Sequence, residues 1–195
     1  RFAKITPRVF IGCDQYFYKG KAFNCTDKLA EIVAKIPSIE RVILVNFLEE
    51  QPQPCSIPNI VTLTEILNAF APEPIEFKAF DFNQPLYIMF SSGTTGTPKC
   101  IVHGAGGTLL QHLKEHQLHC DIKPNDRVFY FSTCGWMMWN WHVTALASGA
   151  TLLLYEGSPL YPKNDILFDF AAAEKMTLFG TSSKYIDMIR KFEVR

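Results

Sequence analysis

Short apolar runs alternate with amphipathic stretches along most of this chain. Runs rich in β-branched and aromatic residues at 9–12, 41–45, 86–90, 100–102, 128–131, 151–155 and 177–180 predict strands. Residues 26–36 carry Leu29, Ile32, Val33 and Ile36 on one face at helical spacing, with Thr26 as cap and Pro37 as stop. Further helices are predicted over 64–70, 108–120, 142–147, 165–175 and 182–192, with Gly149 ending one and Ser182 capping the last. Residues 16–21 read as a polar, aromatic hairpin. The strand, helix and strand between residues 9 and 45 form a βαβ pattern, and the near-continuous apolar run 41–45 suits a parallel sheet. The alternation as a whole predicts an α/β fold with a largely parallel sheet and flanking helices. Prolines at 52, 54 and 58 exclude regular structure from 49–59, and a second irregular stretch covers 72–84. That second stretch is the better linker candidate, yet the apolar segments on its two sides read as one interdependent domain over residues 1–195.

Composition narrows the function classes. Nineteen basic and nineteen acidic residues cancel, which gives no support to a nucleic-acid binder or a membrane-surface binder. No apolar run reaches the length of a membrane span. Arg1-Phe2-Ala3-Lys4 lacks the layout of a signal peptide, and none of the six cysteines forms CxxC. Reduced thiols of the cytosol are therefore expected rather than a disulfide framework. Cys100 and Cys134, in apolar surroundings, are expected as small core fillers. The absence of an initiator Met leads us to expect a piece of a longer protein.

The chemistry concentrates in Ser91-Ser92-Gly93-Thr94-Thr95-Gly96-Thr97-Pro98-Lys99, between two predicted core strands. Hydroxyls and backbone N–H groups along such a loop can cradle phosphates, glycines allow close approach, and the lysine balances charge. The competing reading is an ordinary hairpin turn, for which nine residues of this composition are more than is needed. A Walker loop is excluded, because Pro98 and Cys100 stand where that pattern needs Gly and Ser/Thr.

Two other groups stand out. Three tryptophans and two methionines fall within 136–141, and they read either as a helix buried in the core or as the wall of a small apolar pocket. His112, His116 and His119, spaced by four and three, share one helical face. No further Cys, Asp or Glu stands in register to complete a metal site, so no metal ligand is assigned. Surface or subunit-contact histidines are expected, with Lys114 and Glu115 on the solvated face. His103, just past the loop, either approaches ligand or caps its strand.

Residues 91–99 resemble the [ST]SGTTGxPK signature of the adenylate-forming enzymes, the acyl-CoA synthetase and luciferase superfamily, and match it throughout. The resemblance continues through Gly106-Gly107-Thr108-Leu109, Gln111-His112-Leu113-Lys114-Glu115-His116, Gly135-Trp136-Met137-Met138-Trp139-Asn140-Trp141, Tyr155-Glu156-Gly157-Ser158-Pro159 and Gly180-Thr181-Ser182-Ser183-Lys184-Tyr185, where it is to the acetoacetate-activating members. It is weakest over 49–82. It implies a ligase that uses ATP, Mg²⁺ and CoA, takes acetoacetate or a similar short acid, and releases AMP and pyrophosphate through an acyl-adenylate. It assigns Ser91, Ser92, Gly93, Thr94, Thr95, Gly96 and Lys99 to the nucleotide. It assigns Trp136 to the entrance of the acid pocket, with Met137 and Met138 setting acid size. It assigns no catalytic residue. Family members carry further along a Thr-Glu motif, an Asp for the ribose and a mobile C-terminal domain, and none follows within these 195 residues. The chain is thus expected to be the middle of the large N-terminal domain, without the C-terminal domain and inactive by itself. The alternative is a truncated chain that acts only as a nucleotide- or partner-binding module.

Overall fold

The computed structural model describes residues 1–47, 56–91, 96 and 98–194. Its contacts divide the chain into two compact units, Arg1–Phe77 and Lys78–Arg195. The division falls inside the 72–84 stretch.

In the first unit, after a 3-10 turn at Phe2–Lys4, come β1 (Val9–Cys13), β2 (Gln15–Tyr18), β3 (Lys21–Asn24), α1 (Thr26–Ala34), β4 (Arg41–Val45), β5 (Ile60–Thr62) and α2 (Leu63–Ala69). β1 pairs parallel with β4, Val9 opposite Arg41, and β4 pairs parallel with β5, giving the order β1-β4-β5. β2 and β3 form a hairpin closed by Lys19 and Gly20, both at positive φ (50° and 73°), as a two-residue turn of the type I′ kind requires. Asn24, not Thr26, closes the start of α1: the Thr26 N–H and hydroxyl both donate to Asn24 Oδ1 (2.8 and 2.7 Å). α2 begins one residue before the expected position, on a capping box in which Glu65 N–H donates to Thr62 Oγ1 (3.1 Å) and Thr62 N–H to Glu65 Oε2 (2.7 Å). Leu29 and Val33 of α1 pack on Val42 and Leu44 of β4.

The second unit contains β6 (Pro85–Ser91), β7 (Lys99–Gly104), α3 (Ala105–Leu113), a π-helical continuation (Lys114–His119), β8 (Arg127–Tyr130), α4 (Met137–Thr144), a 3-10 turn (Ala145–Ser148), β9 (Thr151–Leu153), α5 (Ile166–Ala173), β10 (Leu178–Gly180) and α6 (Ser183–Lys191). β8 lies between β10 and β9 with both pairings parallel. Its adjacent residues Val128 and Phe129, 0% and 1% exposed, point to opposite faces. Val128 packs with Trp141 and Ala145, and Phe129 with Leu167 and Tyr185. Helices therefore cover both faces, which is why this strand reads as an unbroken apolar run. Gly180 must be glycine, since a Cβ there would stand 2.1 Å from the Tyr130 ring.

Three expectations are corrected in this unit. β6 and β7 pair with each other, antiparallel, as a two-stranded ribbon, and Leu86, Ile88, Ile101 and Val102 are 40–58% exposed rather than buried. Cys100, on that ribbon, and Cys134, in the turn before α4, are exposed and fill no core. α4 starts at Met137, five residues ahead of the expected helix at 142, and Gly149 (φ 76°) ends the following turn as expected. Among the described residues no helix is long and apolar enough to cross a membrane.

Candidate functional site

The glycine- and hydroxyl-rich loop joins the two strands of the β6/β7 ribbon. Ser91 closes β6 and stands in register with Lys99 at the head of β7, so the ribbon fixes both ends of the loop. Ser92, Gly93, Thr94 and Thr95, which the sequence assigns to phosphate binding, lie outside the described residues. Gly96 has φ 120°, a backbone state that L side chains rarely adopt, with open space where a Cβ would stand. Lys99 is exposed and makes no ion pair with any described residue.

Beyond Lys99 the same strand becomes the wall of an open cleft of about 570 Å³. Ile101 and His103 line it and share a strand face with Lys99, at steps of roughly 7 Å for each two residues. α3 follows at once. Gly104 opens it in an extended conformation, and Ala105 N–H donates to Gln84 O (2.8 Å) and Gly106 N–H to Phe82 O (2.9 Å), which ties the start of α3 to the segment just before β6. Thr108, Gln111, His112 and Glu115 form the second wall, at spacings that keep them on one helical face. Met137, Met138 and Trp141 of α4 form the third. Asn140 ties α4 to the ribbon, its Nδ2 donating to Met89 Sδ (3.1 Å).

Met137 and Met138 thus both face the cleft, whereas Trp136 does not line it and is 60% exposed. Trp136 is the extended residue ahead of the first turn of α4, so it is off the helical face that the two methionines share with Trp141. Both readings of the tryptophan-rich run hold in part: Trp141 is a core residue, 6% exposed, and also a wall of the cleft.

Polar groups fix that wall. The Trp141 indole N–H donates to Glu115 Oε2 (3.0 Å), and Gln111 Nε2 donates to Glu115 Oε1 (2.6 Å). Glu115 is therefore half-buried and engaged, not a free surface residue. His112 Nδ1 lies 3.0 Å from Thr144 Oγ1, whose hydroxyl donates to Asn140 O (2.8 Å). His116, fully buried, meets Trp141 edge to face at 4.3 Å, and His142 Nε2 donates to Val128 O (2.9 Å). The surface role expected of His112 and His116 is corrected, and only His119 is exposed. Histidine is polar enough to suggest solvent in a sequence, but a neutral imidazole packs like a small aromatic ring. No group of three His, Cys, Asp or Glu able to hold a metal occurs among the described residues.

Burial pushes the His112, His116 and His142 imidazoles below their ordinary range. Neighbouring His112 adds to the effect at His116, and the Val128 carbonyl opposes it at His142. These rings are held neutral in the fold, while the unfolded chain takes up protons near pH 6.5. The unfolded state then binds more protons, so this stability is fully present above about pH 6.5 and is lost as pH falls through the lowered folded values. The urea midpoint, followed by tryptophan fluorescence, is expected to fall between about pH 7 and pH 5, and His116→Phe to flatten the fall. An unchanged slope in that variant would remove His116 from the account.

Sequence reasoning placed Trp141 in a run read as core or as pocket wall and His112 on a helical face away from any pocket, and it did not bring Asn83, Thr108, Gln111 or Glu115 to a cleft. The signal for His112 and Trp141 was available as the i, i+4 spacing of His112 and His116 and the i, i+3 spacing of Met138 and Trp141.

Comparison with known proteins adds the following. The family described as AMP-binding enzyme matches residues 3–194. An acetoacetyl-coenzyme A synthetase of Rhizobium meliloti (strain 1021) is 51% identical over 191 residues, which are 98% of this chain and 29% of that protein. The acetoacetyl-CoA synthetase of Mus musculus is 43% identical over 201 residues, covering 100% of this chain and 30% of that protein. The solved structure of acetoacetyl-CoA synthetase from Streptomyces lividans superimposes with a TM-score of 0.89 at 40% identity, over 100% of this chain and 29% of that one. The chain thus spans about three-tenths of the length of the relatives it matches.

Proposed function

Because the chain belongs to the AMP-binding enzyme family across residues 3–194, we propose that it forms the phosphate-loop and acid-pocket part of an ATP-dependent acid–CoA ligase. The acid is acetoacetate or a similar short acid, and the full-length protein carries out the reaction. Overall, acid, ATP and CoA give acyl-CoA, AMP and pyrophosphate. The observation that carries this reading is the continuity of β7, which bears Lys99 at its head and walls an apolar cleft with Ile101 and His103 a few residues on.

The residues fit ATP. Gly96 leaves open space beside the backbone, and Lys99 is an exposed cation with no ion-pair partner among the described residues. In our reading Ser91, Ser92, Gly93, Thr94 and Thr95 complete the phosphate cradle, and the α-phosphorus of ATP is what the acid carboxylate attacks. For Mg²⁺ the described residues offer no ligand cluster, so no step is assigned to it. CoA enters as co-substrate, and no residue of this chain is assigned to it.

Charge orients the acid. Glu115 in the cleft wall opposes a second carboxylate: at about 4 Å and an effective dielectric of 20, two like charges repel by about 4 kcal/mol. Lys99 attracts one. The acid therefore lies with its carboxylate toward the loop and its tail toward Met137, Met138 and Trp141. The five described cysteines are free thiols, three of them exposed, which supports a cytosolic enzyme.

An acid series on the full-length protein tests the pocket. Met137→Gly or Met138→Gly is expected to move the preference toward longer acids by about 10- to 200-fold per methylene at most, a graded shift. An identical chain-length profile before and after would move the acid out of this cleft.

A further inference from the structure

We propose that His112 reads the far end of the acid, favouring substrates with a hydrogen-bonding group on carbon 3 over plain alkyl acids of the same length. This rests on the ligase reading above and deepens it to a specificity-determining residue.

His112 differs from the other two buried imidazoles of this unit. His116 is fully enclosed, and His142 spends its Nε2 on the Val128 carbonyl. His112 is 8% exposed, and it lines the cleft. One ring nitrogen, Nδ1, is committed to Thr144 Oγ1 at 3.0 Å. Thr144 is in turn held by Asn140 O at 2.8 Å, so the ring is fixed by a chain of two bonds within the α4 wall. Nε2 has no hydrogen-bond partner among the described residues, and it is not one of the enclosed, unpartnered atoms that His116 and His142 carry. A fixed ring with one nitrogen satisfied and the other left over is a positioned hydrogen-bonding group for a ligand.

Its surroundings make that group distinctive. The nearby cleft wall contributed by α4 is thioether and indole, which a plain alkyl tail satisfies completely. Among the described residues, Asn83, His103, Thr108, Gln111, His112 and Glu115 bring polar side chains to the cleft, and Glu115 is engaged by both Gln111 and Trp141. His103 and Lys99 stand at opposite ends of one strand face, roughly 13 Å apart. His112 lines the same cleft as His103, which stands at the end of its strand face away from the loop. An acid with its carboxylate drawn toward Lys99 presents its distal carbons, not its carboxylate, to this ring. Because the Thr144 hydroxyl donates to Asn140 O, Nδ1 carries the ring proton and Nε2 is an acceptor: a hydroxyl or enol on carbon 3 donates to it directly, and a 3-oxo group reaches it through one water that donates to both. A saturated acid leaves that nitrogen desolvated and unpaired, which is where discrimination against an isostere is strong.

The test is kcat/KM of the full-length protein for acetoacetate, 3-hydroxybutyrate and butyrate, with KM for ATP measured alongside. Wild type is expected to prefer the two acids with oxygen on carbon 3. His112→Leu is expected to lower kcat/KM for both by about tenfold or more, to leave butyrate unchanged or improved, and to leave KM for ATP unchanged. His112→Gln, which keeps a polar group, is expected to recover part of the preference, and it carries the same comparison if the Leu variant does not fold. Equal loss on all three acids, or no loss on any, overturns the assignment and leaves the ligase reading standing. A wild-type protein that activates none of the three overturns both.

Discussion

Lys99→Ala in the full-length protein lowers kcat/KM for ATP by on the order of a hundredfold and leaves the melting temperature almost unchanged. Lys99 is exposed and unpaired among the described residues, so its truncation removes no packing, and such surface changes stay within about 0.5 kcal/mol. Its worth lies in charge placed where phosphate charge must be met, and loss of one preorganised group of this kind costs on the order of a hundred- to a thousandfold. Thr95→Val is expected to act the same way at smaller scale, about tenfold or more, because a hydrogen bond to a charged group contributes roughly 1.5–3 kcal/mol. The check is steady-state kinetics with ATP varied, beside a thermal melt. Wild-type kinetics in Lys99→Ala would take the strand head out of the nucleotide site.

Trp141→Ala does the opposite: it costs about 3–5 kcal/mol of stability before any question of activity arises. The indole is 6% exposed, packs with Ile122, Val128 and Ala145, meets His116 at 4.3 Å and Tyr130 at 5.9 Å, and donates to Glu115. Its removal leaves a cavity and deprives the Glu115 carboxylate of a donor. Trp141→Phe keeps most of the volume and loses only the N–H, so it should cost much less. Urea unfolding of the two variants separates the packing from the hydrogen bond, and equal midpoints for both would show that the N–H, not the ring, carries the stability.

Much of this fold was legible because its determinants are local. The apolar runs at 9–12, 41–45 and 128–131 are the parallel strands β1, β4 and β8, and the loop announced itself through hydroxyl and glycine content between two strands. What escaped depends on tertiary context. An apolar run does not say whether its second face is covered, so the β6/β7 ribbon was read as core although Ile88 and Val102 face solvent. α4 is apolar on nearly every side, and a helix without a polar face shows no periodic stripe, so its start was placed five residues late and Trp141 was not separated from Trp136. β5, three residues long, is too short to show a pattern. The histidines were correctly placed on one helical face, but residue type alone could not tell that α4 closes over two of them.

The central claim is that the loop and the cleft beside it join ATP to a short carboxylic acid. Acid-dependent exchange of labelled pyrophosphate into ATP, measured on the full-length protein with Mg²⁺ and no CoA, tests it most directly, since exchange reports the acyl-adenylate step alone. The account predicts exchange with acetoacetate that falls by about tenfold or more in Thr95→Val. Exchange absent with acetoacetate and with every other short acid, or present and untouched by Thr95→Val, would contradict it.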